Sequence, residues 1–272
     1  MQMIKLSRYL IALCIVILCA CSHNPYSATN GVYKKQVKSF AQTLRSEPTF
    51  IDSVKQPPYW VGTTNFNLRK PNFVIIHHTA QNSCEQTLRT FTLERTQVSA
   101  HYVICRDGTV HHMLNDYLRA WQAGVSKWGN DADINSSSIG IELDNNGSEP
   151  FADPQITSLL HLLKTLKSSY NIPIANFIGH GDIAPTRKND PSYMFPWKQL
   201  ADNGYGYWYN DTTNVAAPEI FDAMQALRII GYDIRDTTAA IQAFKRHWEQ
   251  DTTRILNDAD KKIIYQLYRK YE

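Results

Sequence analysis

The sequence lacks a strong charge excess, a long apolar segment and an internal repeat. Its 28 Lys and Arg residues nearly balance 25 Asp and Glu residues, without an arginine-rich stripe, so we expect no nucleic-acid partner. The apolar run at residues 9–20 is too short to span a bilayer comfortably. With 43% hydrophobic and 11% aromatic residues, however, the chain can form a packed core, which excludes disorder along most of its length.

The N-terminus has the composition of a secretory signal. Lys5 and Arg8 provide a positive start, and the short apolar run follows them. Such a segment is removed from the mature protein, so residues 1–20 are left out of the fold prediction. Its removal brings the number of basic residues within one of the number of acidic residues. We therefore expect an exported and nearly neutral mature protein.

The end of this signal resembles the bacterial lipobox. Residues 18–21 are Leu-Cys-Ala-Cys, with a small residue directly before Cys21. The resemblance implies that Cys21 is acylated and becomes the first mature residue, and two or three acyl chains give stable membrane anchoring. Ser22 implies sorting to the outer membrane, so we predict a lipid-anchored protein on its periplasmic face in a Gram-negative bacterium. An ordinary transmembrane anchor and a soluble secreted protein are the alternatives.

Composition along the chain divides it into four segments. Residues 1–20 are the signal, and the polar residues 21–50, without sustained periodicity, are predicted to be a tether. Residues 51–212 contain all the strand patterns and are predicted to be the main domain. Residues 213–272 carry three short amphipathic helix patterns and no strand pattern, which predicts a small three-helix module.

Short apolar strands alternate with helices in the main domain. Strands are predicted at 73–76, 102–104, 109–113, 139–143 and 177–179, and helices at 85–95 and 154–170. The second helix is the clearer one, with Asp153 as its predicted cap and Pro154 at its first position. The alternation predicts an α/β (α+β) fold in which helices flank a central mixed β-sheet.

Polar side chains stand at or near the ends of three predicted strands. His77 follows the first strand, Glu142 lies within the fourth, and His180 follows the fifth. Sheet-based folds build their sites at strand ends, and an unpaired buried carboxylate would be costly. Two histidines and a carboxylate from distant segments are a common catalytic zinc set that leaves a position for water. Asp182 and Asp190 follow His180 closely and are the carboxylates available to complete the set.

Four segments carry a family pattern, in a fixed order along the chain. They are residues 73–80 (FVIIHHTA), 99–102 (SAHY), 138–143 (SIGIEL) and 180–191 (HGDIAPTRKNDP), the last followed by 195–197 (FPW). This pattern resembles the zinc-dependent N-acetylmuramoyl-L-alanine amidases of the phage lysozyme-amidase and peptidoglycan-recognition-protein type. The resemblance implies hydrolysis of the amide bond between N-acetylmuramic acid, or its anhydro form, and L-alanine of peptidoglycan during wall turnover. With the lipobox and the helical module, it points to the outer-membrane lipoprotein members of the family.

The resemblance also implies a metal ligand set. His77, His180 and Asp190 are then the ligands of one Zn²⁺ per chain, because they occupy the matching positions of the first and last segments. Asp182 is nearer to His180 in the sequence and is the alternative carboxylate ligand. Zinc suits imidazole and carboxylate ligands better than magnesium or calcium does.

Two further residues are implied to be catalytic. Glu142 matches the position of the general base, and Lys188 matches the residue that stabilises the developing oxyanion. The structural alternative is a buried salt bridge between Glu142 and Lys188. A non-catalytic peptidoglycan-binding receptor on the same fold is the alternative function. Such receptors lose a metal ligand, whereas every ligand position is filled here, which favours the enzyme.

Substrate contacts are predicted at Trp121 and His101. Residues 121–124 are Trp-Gln-Ala-Gly where family members often carry Trp-His-Ala-Gly. Gln122 therefore replaces a histidine that we expect to touch substrate rather than metal, which leaves the stem-peptide specificity open. The preference for sacculus or soluble muropeptides is open as well. A cytoplasmic amidase specific for soluble anhydro-muropeptides is disfavoured by the export signal.

Two cysteines, Cys84 and Cys105, remain after the signal and the lipidated residue are set aside. If residues 73–104 form a strand–helix–strand crossover, both cysteines lie near the C-terminal ends of parallel strands. We predict a disulfide between them, with two free thiols as the alternative. His78 is predicted to point to the face opposite His77 as a packed or hydrogen-bonded side chain.

The C-terminal module resembles helical peptidoglycan-binding domains through residues 240–244 (AIQAF). The same apolar spacing also fits a packing subdomain without a ligand of its own. Every predicted catalytic group precedes residue 191, so the sequence predicts that the module is dispensable for the hydrolysis of soluble fragments. We expect the protein to be a monomer whose partners are peptidoglycan or muropeptides and the membrane that holds Cys21.

Overall fold

The computed structural model describes residues 24–46, 60 and 62–272, and these form two compact units that divide at Phe66 and Asn67. The predicted signal and the lipidation site at Cys21 lie outside the described residues. Within the first unit, helix α1 (Ser27–Arg45) occupies most of the predicted tether and buries none of its side chains. The apolar residues Val37, Phe40 and Leu44 recur along this helix at spacings of three and four, so the prediction that the segment has no sustained periodicity is wrong.

The second unit, residues 67–272, contains five strands and eight α-helices among its described elements. The strands are β1 (Phe73–His78), β2 (Tyr102–Ile104), β3 (Val110–His112), β4 (Ser138–Leu143) and β5 (Phe177–Gly179). The helices are α2 (Cys84–Thr92), α3 (Ile134–Ser137), α4 (Asp153–Tyr170), α5 (His180–Ile183), α6 (Trp197–Asp202), α7 (Ala223–Ile230), α8 (Thr237–Trp248) and α9 (Asp258–Tyr271). No helix in the described part of the chain is long and apolar enough to cross a membrane.

The five strands form one mixed sheet in the order β3-β2-β4-β1-β5. Strand β1 pairs in parallel with both β4 and β5, β2 pairs in parallel with β4, and only β3 runs antiparallel, at the edge. Central parallel strands are covered on both faces, which accounts for the continuous apolar run of β1. The predicted α/β architecture with a central mixed sheet is confirmed.

Alternate residues of β1 contribute to two separate cores. Val74 and Ile76 pack with the apolar stripe of α4, including Leu159 and Leu163, on one face of the sheet. Residues 73 and 75 pack on the other face, against the C-terminal helices. This division follows the two-residue side-chain period of a strand. The sheet is thus the middle layer of three.

Two helix boundaries differ from the prediction. The helix predicted at 85–95 ends at Thr92 because Leu93 is extended, and a 3₁₀ turn at Glu94–Thr96 follows. Helix α4 is capped by Ala152 without a side-chain hydrogen bond, so the prediction that Asp153 caps it is wrong by one position. Asp153 instead lies in the first turn, where its negative charge is favourable beside the helix dipole.

The three helices predicted beyond residue 213 are present as α7, α8 and α9, and they share a core with the sheet. Ala243 and Phe244 from the AIQAF segment are fully buried in the cluster that contains Ile75 of β1. The residues that carry the likeness to wall-binding domains therefore serve packing, and any contact with the wall must use other side chains. The separate domain at 213–272 stays a prediction, but the shared core argues against its removal without loss of stability.

We predict that Phe244→Ala destabilises the whole second unit. Phe244 has no exposed surface, and truncation of such a side chain costs about 3–5 kcal/mol of unfolding free energy. Ile220→Ala is the matched control, because Ile220 is 94% exposed and should change stability by less than about 0.5 kcal/mol. Thermal and urea unfolding should show a single transition in both variants. A separate early transition of the helices alone, with the sheet unaffected, would contradict the shared core.

A buried charge cluster lies between α8 and α9. The ammonium of Lys245 lies 2.9 Å from Asp260 Oδ2, 3.1 Å from Asp251 Oδ2 and 3.7 Å from Glu249 Oε2. Three carboxylates thus surround one ammonium. Burial, with the neighbouring charge of Asp260 as a further cause, raises the pKa of Glu249 to about 7 from its ordinary value of 4.5.

This raised pKa predicts a stability that depends on pH. Because the folded pKa of Glu249 exceeds the unfolded one, its stabilising contribution is complete below pH 4.5 and is lost as the pH rises through 7. In Glu249→Gln the side chain cannot ionise, so the variant does not lose this stability as the pH rises. We expect the melting temperature of this variant to exceed that of the unaltered protein at pH 8 and to equal it at about pH 4. Equal melting temperatures at pH 8 would show that the surroundings of Glu249 do not raise its pKa.

Candidate metal centre

Strand pairing brings the predicted catalytic residues to one edge of the sheet. His77 is paired with Glu142 in the β1–β4 register, so the two side chains leave the sheet side by side. Gly179 is paired with Ile76 in the β1–β5 register, and His180 follows it directly. The rings of His77 and His180 meet edge to face with their centroids 4.5 Å apart.

Asp190 completes a buried group with these two histidines. Its Oδ2 lies 3.0 Å from Nδ1 of His77 and 3.0 Å from Nδ1 of His180. One ligand atom from each of the three residues lies within 4.8 Å of the others, and all three side chains are buried. The structure thus brings together the three residues that the sequence indicates as metal ligands.

The outer nitrogens of both histidines face hydrogen-bond acceptors. Nε2 of His180 lies 3.1 Å from the carbonyl oxygen of Ala123, and Nε2 of His77 lies 2.6 Å from Oε1 of Gln122. Each Nε2 therefore carries a hydrogen, which leaves Nδ1 as the nitrogen of each ring that can bind a cation beside the Asp190 carboxylate. The donor set therefore fits a divalent metal with imidazole and carboxylate ligands.

Glu142 and Lys188 lie beside this group. Glu142 Oε1 is 3.9 Å from Nδ1 of His77, while its buried Oε2 has no hydrogen-bond partner among the described residues. Burial raises the pKa of Glu142 to about 7, against the opposing charges of His77 and Lys188. A Glu142–Lys188 ion pair is not found in the described part of the chain, so the structural alternative for Glu142 receives no support.

A cleft of about 330 Å³ opens onto the centre. Helix α2 lines it with Thr87 and Thr90, and the residues 187–189 line it opposite. Trp121, half exposed, also lines it, as predicted for a substrate contact. The backbone of Trp121 is fixed by Ser99, whose Oγ accepts from Trp121 N at 2.9 Å and whose N–H donates to Trp121 O at 3.1 Å.

The prediction that His101 contacts substrate is wrong. His101 is fully buried outside the cleft, behind the sheet edge. Its Nδ1 accepts from Gly140 N at 3.1 Å, and its Nε2 lies 3.0 Å from the carbonyl oxygen of Leu118. Burial lowers the pKa of His101 to about 4, which keeps the ring neutral. Both nitrogens are therefore used in tying β2 to its neighbours.

His78 and the alternative ligand Asp182 have structural contacts. Nδ1 of His78 accepts from Ser192 N at 3.0 Å on the far face of β1. Asp182 Oδ2 accepts from Gly179 N at 2.8 Å and from His247 Nδ1 at 2.7 Å. Asp182 is therefore occupied by the backbone before His180 and by helix α8, and it is not part of the ligand group.

Two contacts at the centre could not be found from the sequence pattern. Asn135 Oδ1 accepts from the backbone nitrogens of Gln122 and Ala123, at 3.0 and 2.9 Å. Arg187 donates to the carbonyl oxygens of Ala123 and Val125, each at 3.0 Å. These contacts hold the loop after Trp121 against the metal ligands, and they depend on the conformation of the loop, for which residue spacing gives no signal.

Cys84 and Cys105 form a disulfide in the structure, with their Cα atoms 5.4 Å apart. Cys84 is the first residue of α2, which is the next element after β1, and Cys105 is the residue that follows β2. Strands β1 and β2 both run parallel to β4, which lies between them. The bond thus attaches the helix that lines the cleft to the sheet.

Comparison with known proteins identifies the family. The family model for N-acetylmuramoyl-L-alanine amidase matches residues 67–193. The N-acetylmuramoyl-L-alanine amidase AmiD of Escherichia coli is 32% identical over 231 residues, which are 73% of this chain and 82% of that protein. The chain belongs to the N-acetylmuramoyl-L-alanine amidase family. The predicted resemblance to this family and the predicted hydrolase activity are confirmed, and the receptor alternative is not supported.

Other relatives of this amidase match parts of the chain. The 1,6-anhydro-N-acetylmuramyl-L-alanine amidase AmpD of Haemophilus influenzae is 40% identical over 104 residues, 38% of this chain and 56% of that protein. Among solved structures, AmpDH3 of Pseudomonas aeruginosa aligns with a TM-score of 0.69 and 27% identity over 82% of this chain and 99% of that one. E. coli AmiD in complex with anhydro-N-acetylmuramic acid-L-Ala-D-γ-Glu-L-Lys aligns with a TM-score of 0.68 and 28% identity, covering 80% and 97%.

The disulfide predicts the thiol content of the protein that starts after Cys21. We expect no reactive thiol under denaturing, non-reducing conditions, because Cys84 and Cys105 are bonded to each other. The same sample should yield two thiols after reduction, which is the control for reagent access. Two reactive thiols before reduction would contradict the pairing.

Proposed function

We propose that this amidase holds one Zn²⁺ at His77, His180 and Asp190 and hydrolyses the bond between N-acetylmuramic acid and L-alanine with Glu142 as general base. The observation that supports this most is the convergence of two Nδ1 atoms on one carboxylate oxygen, beside a buried carboxylate oxygen without a partner. A zinc ion held by these residues would polarise the amide carbonyl of the substrate and lower the pKa of the attacking water.

Glu142 is placed for proton transfer. Its Oε2, which has no hydrogen-bond partner in the part of the chain that the structure describes, can accept the proton of the attacking water and deliver it to the leaving nitrogen of L-alanine. A pKa near 7 suits both steps, since the group can take and release a proton at neutral pH. The positive charge of a bound cation would favour the carboxylate form needed for the first step.

Lys188 is placed for charge stabilisation. It lines the cleft next to Asp190, and its positive charge acts on Glu142 across the site. In the cleft the ammonium can approach the negative charge that develops on the carbonyl oxygen of the substrate during the attack. Trp121 offers a half-exposed indole at the rim, suited to the apolar face of a sugar ring or to the lactyl group.

We assign peptidoglycan and anhydro-muropeptides as substrates. The support is the complex of E. coli AmiD, which contains an anhydro-N-acetylmuramic acid peptide, together with an alignment over 80% of this chain. The lipobox at residues 18–21 supports anchoring at Cys21, on the periplasmic face of the outer membrane. A lipid anchor there would hold the cleft near the wall.

The ligand and base assignments predict different effects of substitution on zinc binding and on kcat. His77→Ala and Asp190→Ala should lose zinc and activity together, because three protein ligands are needed to hold a catalytic ion tightly. Glu142→Gln should keep zinc and lose about 10²–10⁴-fold in kcat, the usual range for a removed general base. Lys188→Met should keep zinc and lose mainly kcat.

Zinc content by elemental analysis and amidase rates on a purified muropeptide test these four variants. Lys198→Met is the matched control, because the exposed Lys198 lies on α6, away from the cleft, and pairs with Asp202. Loss of zinc in Glu142→Gln would make Glu142 a ligand, and full activity in it would move the base elsewhere.

A further inference from the structure

Gln122 lies directly behind the metal ligand His77, on the side away from Asp190. The side chain is buried, and both of its polar atoms have partners. Oε1 is 2.6 Å from Nε2 of His77, and the amide nitrogen donates to Ser138 Oγ at 2.7 Å. Gln122 stands where family members often carry a histidine that we expected to touch substrate. Its polar atoms are instead directed at the metal ligand His77 and at Ser138 of β4.

The contact with Ser138 determines which way the amide of Gln122 is turned. The hydroxyl of Ser138 donates its single hydrogen to the carbonyl oxygen of Ile134, at 2.5 Å. Toward Gln122 this hydroxyl can only accept, so it requires the amide nitrogen. The amide oxygen is therefore the atom that faces His77, and an amide oxygen only accepts.

The position of the Gln122 side chain is also fixed sterically. The backbone nitrogens of Gln122 and Ala123 both donate to Asn135 Oδ1. A Cβ at Gly140 would lie 2.6 Å from Cγ of Gln122, so the glycine of β4 leaves the space in which this side chain lies. The hydrogen-bond chain from Ile134 to His77 therefore runs through a side chain with little freedom to move.

We propose that Gln122, oriented by Ser138, is a positioning residue that fixes the tautomer of His77. With an acceptor at Nε2, the ring carries its hydrogen there and presents the lone pair of Nδ1 to the metal. This inference rests on the proposed zinc site. It replaces the expectation that residue 122 chooses the substrate, and it gives a specific use to a glutamine where relatives often carry histidine.

Gln122 substitutions should therefore act on the metal rather than on the substrate. Gln122→Leu removes the acceptor and keeps a similar volume, and it should weaken zinc binding by about 10–100-fold, the usual effect of losing a partner behind a metal ligand. At saturating zinc its KM should stay unchanged. Gln122→Glu keeps an acceptor at Nε2 of His77, although it loses the bond that the amide nitrogen donates to Ser138, and should recover zinc affinity to within a few-fold of the unaltered protein.

Ser138→Ala tests the same chain without touching Gln122. It frees the amide to turn over and place its nitrogen toward His77, so zinc affinity should fall, though less than in Gln122→Leu. Gln199→Leu, on the exposed surface of α6, is the matched control and should change nothing. If Gln122→Leu fails to fold, Ser138→Ala and Gln122→Glu still decide the question.

The full chain is used, and zinc affinity is measured by chelator competition beside kcat, KM and the melting temperature. Long-range ¹H–¹⁵N correlation spectra of the zinc-loaded protein show which nitrogen of His77 carries the hydrogen. We expect the hydrogen on Nε2 of His77 in the unaltered protein. Zinc affinity should fall most in Gln122→Leu, less in Ser138→Ala and least in Gln122→Glu. Unchanged zinc affinity in Gln122→Leu and Ser138→Ala, or a raised KM alone in Gln122→Leu, overturns the inference. Absence of zinc binding by the unaltered protein would instead overturn the proposed function.

Discussion

The parallel pairing of β1 with β4 and β5 is the constraint on which the site depends. It places His77, Glu142 and His180, which are far apart in the sequence, at one edge of one sheet. The strands themselves are stabilised by apolar side chains on both faces, so the polar residues come only where each strand ends or approaches the cleft. A shift of β1 by one residue would turn both core faces over and move His77 away from Glu142.

The same sheet face that carries His77 is covered by the C-terminal helices, which connects their packing to the metal ligands. Asp182, two residues after His180, accepts from Tyr232 at 2.9 Å and from His247 at 2.7 Å. These contacts fix the short helix α5, which begins at His180. Helix α8 and the segment before it therefore help to hold His180 in position. We infer that the helices contribute to the geometry of the centre, whatever they contribute to wall binding.

The sequence predicts the strands, the mixed sheet and the convergence of His77, His180 and Asp190, because strand periodicity and the family pattern both report on them. It does not predict that Gln122 contacts His77, or that His101 is buried, since both depend on how loops pack around the sheet. Helix α1 could have been predicted from the helical spacing of Val37, Phe40 and Leu44. The shared core could not, since an amphipathic pattern does not show which surface it packs against.

Anomalous X-ray scattering at the zinc absorption edge, from crystals of the zinc-loaded protein, tests the proposed centre most directly. We expect one peak, at about 2.0–2.2 Å from Nδ1 of His77, Nδ1 of His180 and the Asp190 carboxylate. Among the described residues, Cys84, Cys105 and His111 also lie close together, but the two sulfur atoms are joined in the disulfide and should hold no metal. A peak beside Nε2 of His77, or one that the Asp190 carboxylate does not contact, would contradict the assignment.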